Sequence, residues 1–108
     1  MSILVGSQKV FVQEAVAAGA SVTSDEIAID NNFDRMTVKV HTSKAGVLEV
    51  LALLNDAWYP AITVNLADDS FDIFSSYHFL SKVKFRFTAG VAPAVVSCEE
   101  DIVNHVSN

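Results

Sequence analysis

Six consecutive residues, Lys82-Val83-Lys84-Phe85-Arg86-Phe87, alternate between a basic and an apolar side chain. An extended strand sends successive side chains to opposite faces, whereas a helix would scatter these six around its circumference. The run is therefore read as a strand, with Val83, Phe85 and Phe87 facing a core and Lys82, Lys84 and Arg86 facing water. Met36-Thr37-Val38-Lys39-Val40-His41 repeats the pattern, with Met36, Val38 and Val40 as the inward set.

Further strands are expected at 47–54 and 94–99, with weaker signals at 9–16, 26–29, 61–66 and 70–74. Turn-forming residues separate them: Thr42 to Gly46, Asn55-Asp56, Ala67 to Ser70, and Thr88-Ala89-Gly90. Gly46 and Gly90 are placed where a hairpin would need positive φ. Many short strands at this spacing predict an all-β protein, an antiparallel β-sandwich of jelly-roll-like form. A chain of 108 residues holds one such core. The sandwich is assigned to 9–99, with a possible N-terminal arm at 1–8 and a C-terminal tail at 100–108. The segments around Phe33–Val50 and Tyr77–Val96 share a layout of strand, turn and strand. They are either similar central hairpins of two sheets or a chance likeness between alternating strands.

The composition narrows the function. Net charge is −6, with only seven Lys and Arg, which argues against nucleic acid and anionic lipid as partners. No apolar stretch is long enough for a membrane helix, and the N-terminus lacks the pattern of a signal peptide. Cys98 is the single cysteine, so no intrachain disulfide is possible. In phase with Val96, it is expected to face the core rather than act as a nucleophile. His41, His78 and His105 lack the spacing of a zinc site. Asp68, Asp69 and Asp72 could offer oxygens to calcium but lack the order of a calcium loop. No glycine-rich phosphate loop or nucleophile elbow is present. The expectation is a non-enzyme with no metal and no cofactor.

Contact surfaces remain. Lys82, Lys84 and Arg86 form a basic stripe, which Lys39 and His41 would extend if the two central hairpins are neighbours. Trp58-Tyr59-Pro60 is read as a loop whose aromatics either anchor an interface or cap the sandwich. Hydrophobic residues make up 51% of the chain, high for a small domain that must keep much of its surface wet. The 47–54 strand is apolar on both phases, with Leu51 and Leu53 opposite Leu48 and Val50, so both of its faces should be covered. Leu4, Val5 and Phe11 lie in runs suited to an arm or edge strand that pairs outside its own domain. The economical inference is a homo-oligomer, a trimer by preference. The interface candidates are Leu4, Val5, Phe11, Leu51, Leu53, Trp58, Tyr59, Lys82, Lys84 and Arg86.

The succession Phe33 to Val40, Gly46-Val47-Leu48-Glu49-Val50, Asn55-Asp56-Ala57-Trp58-Tyr59-Pro60, Phe71-Asp72-Ile73 and Tyr77 to Thr88 resembles small β-sandwich virion proteins of tailed bacteriophages. It departs from them at Ala57, where glycine is common, and in a shorter loop. The resemblance spans roughly residues 22–99. It implies a structural virion protein, capsid decoration (cement) foremost, made in the host cytoplasm. It would stabilise the head shell by oligomeric contacts with a major capsid or other virion protein. A carbohydrate-binding β-sandwich module is the alternative, and it would need Trp58, Tyr59 or Tyr77 on one exposed platform.

Overall fold

A computed structural model describes residues 2–28, 35–76 and 82–105, with side chains for 7–28, 35–76 and 82–101. The described residues form strands and no helix: β1 (Ser2–Val16), β2 (Ser21–Thr23), β3 (Ile27–Ala28), β4 (Arg35–Thr42), β5 (Gly46–Leu54), β6 (Ala57–Leu66), β7 (Ser70–Ser76), β8 (Lys82–Ala89) and β9 (Ala94–His105). Every pairing is antiparallel. A four-stranded sheet in the order β1-β9-β4-β7 packs on a five-stranded sheet in the order β2-β8-β5-β6, with β3 also paired to β8. This is the expected all-β sandwich.

The two alternating segments supply the middle of the core. Val83, Phe85 and Phe87 of β8 are fully buried beside Leu48 and Val50 of β5, while Met36, Val38 and Val40 of β4 face them from the other sheet. Burying each such side chain stabilises the fold by about 1.5–3 kcal/mol. Their connections differ from expectation. β4 belongs to the four-stranded sheet and β5 to the other, so the link between them crosses the sandwich, as does the link from β8 to β9. The predicted hairpins are thus two arches. They stack on each other, because β4 pairs with β9 and β5 with β8.

The glycines also act differently. Neither Gly46 nor Gly90 has positive φ; among the described residues that backbone occurs at Gly19, Gln13, Asn55, Asp56 and Asp69. Gly46 is required by space instead. A Cβ there would run into the Phe87 ring and lie 2.6 Å from the Thr88 carbonyl oxygen. Asn55 and Asp56, at φ 51° and 63°, form the two-residue hairpin loop between Leu54 and Ala57. Both central residues of such a turn need positive φ, which Asn and Asp tolerate best after glycine. Because the turn is this tight, pairing resumes at Ala57. Trp58-Tyr59-Pro60 therefore belongs to β6 rather than to a loop.

Residues 2–8 run as the first half of β1 and pair with β9 out to the Ser2–His105 match. Most of 100–108 is likewise strand. The side chains of Leu4 and Val5 lie outside the described residues. Opposite Ser97, β1 places two residues, Val12 and Gln13, between the pairs Phe11–Cys98 and Glu14–Val96, one more than β9. Gln13 takes φ 45°, and its N–H donates to Ser97 Oγ at 3.0 Å. This bulge turns Phe11 into the core, leaving it 6% exposed, so little of Phe11 is left for an interface.

Candidate interaction surfaces

The outer face of the five-stranded sheet gathers most of the predicted contact residues, and a second bulge explains how. Val50 pairs with Ile62 but Leu51 pairs with Pro60, so Ala61 is an extra residue in β6. The phase of β6 flips there. Ile62, Val64 and Leu66 point to the core, whereas Trp58 and Pro60 share the outer face with Leu51 and Leu53. Lys84, opposite Leu51 on β8, holds its ammonium 4.6 Å from the centre of the Trp58 ring. Under this cover Leu51 is only 3% exposed. The second cover of the two-sided β5 strand is therefore supplied within the chain, and Leu51 is not available to a partner. Tyr59 falls on the other phase and is exposed, while Leu53 is half-buried.

The basic stripe is engaged as well. Arg86 Nε donates to Glu49 Oε1 at 2.9 Å, and this bond is the main reason its guanidinium is held charged more firmly than usual. Lys82 Nζ lies 3.7 Å from Glu26, and Lys84 sits on Trp58. Lys39 and His41 do not extend the stripe. They lie on the outer face of the other sheet, where Lys39 is 3.7 Å from both Glu99 and Asp101 and His41 Nε2 is 3.0 Å from Asp69 Oδ1.

The outer face of the four-stranded sheet is built differently. Phe71 and Ile73 on the edge strand β7 are 63% and 53% exposed, and Val12 at the β1 bulge is 65% exposed. Val95 on β9 is also exposed. Phe71 and Val12 line a shallow depression of about 300 Å³ together with Lys9, Lys39, His41, Ser97 and Glu99. The sequence reading missed this surface. The signal was present in Phe71-Asp72-Ile73-Phe74, where Phe71 and Ile73 share one phase while Phe74 takes the other.

Other candidates separate. Asp68 Oδ1 accepts the Ala45 N–H, Asp72 Oδ1 accepts the Ile73 N–H and Asp69 holds His41, so the three acids serve turns and an edge. Among the described residues no group of His, Cys, Asp and Glu could hold a metal ion. His78 and the His105 side chain lie outside the described residues. Cys98 is buried, and burial, followed by the charges of Glu100 and Glu99, pushes its thiol up to about 12. A thiol held neutral in this way is a poor nucleophile at neutral pH. Glu100 faces the core beside Val38, with one carboxylate oxygen lacking any hydrogen-bond partner, and burial raises its pKa to about 7.

No family model matches the sequence, and neither does any curated protein. Solved structures share the fold. The PBSX exported protein XepA superposes over 100% of this chain with a TM-score of 0.75 at 12% identity, and the chain spans only 38% of XepA. A protein of the disulfide-linked pili that form Bacillus endospore appendages covers 99% of this chain and is itself covered over 92%, with a TM-score of 0.55 at 16% identity. The coat protein of Tobacco streak virus covers 99% of this chain and is covered over 88%, with a TM-score of 0.50 at 8% identity. These likenesses establish a β-sandwich architecture shared by an exported protein, a pilus protein and a virus coat protein.

Proposed function

We propose that this chain is a structural virion protein of the capsid decoration type, a non-enzyme that stabilises a head shell through oligomeric protein–protein contacts. The observation that carries the reading is the outer face of the four-stranded sheet. Phe71, Ile73, Val12 and Val95 are exposed there, and Phe71 and Val12 line a shallow depression; exposed apolar surface of this kind marks protein–protein contact. The sandwich shared with a virus coat protein and the sequence resemblance to phage virion proteins support it. The buried, neutral Cys98 fits a protein that works by contact. Against a glycan platform, Trp58 has one ring face occupied by Lys84 and lies half-buried.

Co-sedimentation with purified phage head shells tests the proposal. The wild-type chain is expected to pellet with shells to saturation, and a Phe71→Ser/Ile73→Ser double variant to remain in the supernatant. A folded wild-type protein that stays in solution at every shell concentration would remove the decoration reading.

A further inference from the structure

The pairing registers set the outward side chains of the four-stranded sheet in rows. One row runs Ile73, Lys39, Glu99 and Lys9, from β7 through β4 and β9 to β1. The next runs Phe71, His41, Ser97 and the bulge residue Val12. On the other side of the first row lie Ser75, Thr37, Asp101 and Ser7. Lys39 and Glu99 thus stand side by side on the two central strands. Their charges are incompletely met within the chain. Lys39 Nζ is 3.7 Å from Glu99 and from Asp101, beyond hydrogen-bond reach, and Lys39 and Glu99 stay partly exposed. The five-stranded face differs, since Arg86 bonds Glu49 at 2.9 Å there and Lys84 rests on the Trp58 ring.

A contact between two identical patches has to be complementary to itself under a two-fold rotation. These rows meet that condition for an axis lying along the strands between β4 and β9. Such an axis lays β4 over the second copy's β9, and β7 over the second copy's β1. Lys39 then meets the second copy's Glu99, and Glu99 meets the second copy's Lys39, so four charges alternate around the axis. One row along, His41 comes over the second copy's Ser97, the small residue of the depression. Phe71 comes over the second copy's Val12, joining side chains that are 63% and 65% exposed alone. Sheets packed face to face keep their strands within about 30° of each other, so the match is closest beside the axis, where Lys39 and Glu99 stand. A net charge of −6 opposes self-association. On this face, however, Lys9 and Lys39 offset Glu99 and Asp101, and His41 holds Asp69 at one end.

We infer that the four-stranded faces of two copies of this chain pack on each other across that axis, forming a two-fold dimer. The inference rests on the proposed oligomeric virion role, and it makes the building unit a dimer rather than the trimer preferred from the sequence. Four strands about 4.8 Å apart, each rising about 3.4 Å per residue over the paired stretch 36–42, give a footprint of roughly 450 Å² per copy before side-chain relief is counted. That places the dimer among weak contacts that dilution dissociates.

Light scattering on a sizing column, over a dilution series at low salt, tests it with two charge reversals. Lys39→Glu sets acid against acid across the contact, and Glu99→Lys sets base against base. Both side chains are partly exposed, so both variants are expected to fold. The wild-type chain is expected to be dimeric at the highest concentration, and each reversal alone to weaken the dimer at least about tenfold. An equimolar mixture of the two variants should pair as tightly as wild type, because the acids of one chain then face the bases of the other. Any repulsion within each chain persists in the mixture, so its recovery isolates the contact between copies. A dimer that survives either reversal, or a mixture that stays dissociated, would overturn the contact. A monomeric or trimeric wild type also overturns it. Co-sedimentation with head shells separates this failure from that of the virion reading. A monomer that pellets with shells loses the two-fold contact and keeps the virion role. A dimer that obeys the reversals but never pellets keeps the contact and loses the virion role.

Discussion

The two outer sheet faces start from the same problem and end differently. Both carry more apolar side chains than a wet surface needs. On the five-stranded sheet the extra residue Ala61 turns Trp58 outward, and Trp58 with Lys84 closes over Leu51. On the four-stranded sheet the bulge at Val12 and Gln13 does the reverse, lifting Val12 into solvent opposite exposed Phe71. One bulge completes a small core within the chain, and the other opens a surface. Apolar residues on both phases of a strand thus do not by themselves imply a partner. The cover comes from within wherever a neighbouring strand can re-aim a large side chain.

The largest expected effect sits beneath the exposed face. Glu100 is raised from 4.5 to about 7, chiefly by burial and secondarily by the charge of Asp101. The folded state binds this proton more tightly than the unfolded chain, so the stability it contributes is fully present below pH 4.5 and is lost as pH rises through about 7. At about 1.4 kcal/mol per unit, the loss is roughly 3 kcal/mol. The difference in unfolding free energy between wild type and Glu100→Gln, followed by urea titration, should drift by this amount between pH 4.5 and 7.5. A difference that is flat with pH would show the carboxylate to be solvated. No comparable group is buried under the five-stranded face among the described residues.

Next in size is the closed face. Leu51→Ala leaves a hollow under Trp58 and Lys84 and should destabilise by about 2 kcal/mol, the low end for a buried leucine. Chemical denaturation would measure it. A cost near zero would mean that the Trp58 cover is loose and that the two faces are more alike than their exposures suggest. Lys84→Ala removes both the ammonium on the Trp58 ring and the stem beside Leu51, for an expected loss of about 1 kcal/mol. Lys84→Met keeps the stem and should recover about half. If the two variants are equal, the charge rather than the cover decides.

The sequence announced the core because alternation is local. Val83, Phe85 and Phe87, like Met36, Val38 and Val40, needed only the two-residue period to be placed inward, and all six are buried. What the period does not carry is any event that changes it. The extra Ala61 flips Trp58 across the sheet, and the one extra residue of the Val12-Gln13 bulge sends Phe11 inward while Val12 stays exposed. Both depend on pairing with a distant strand, so Leu51 and Phe11 read as surface when they are interior. The arches fail for the same reason. A short turn after an alternating strand looks like a hairpin, and only the long-range pairs of β4 with β9 and β5 with β8 reveal that the chain has changed sheets.

The smallest expected effect on stability tests the comparison most sharply. Phe71 projects from an edge strand with 63% of its surface in water, so Phe71→Ser gives up little burial and should change unfolding free energy by no more than about 0.5 kcal/mol. Its backbone neighbour is already protected, because Asp72 Oδ1 accepts the Ile73 N–H at 2.9 Å. The same substitution should lower the assembled mass measured by light scattering at fixed concentration. Leu51→Ala should do the opposite, costing stability while leaving the mass unchanged wherever the protein is folded. A Phe71→Ser protein that unfolds more easily yet assembles as before would mean that Phe71 closes over its own sheet, and the four-stranded face would then be a second interior rather than an interface.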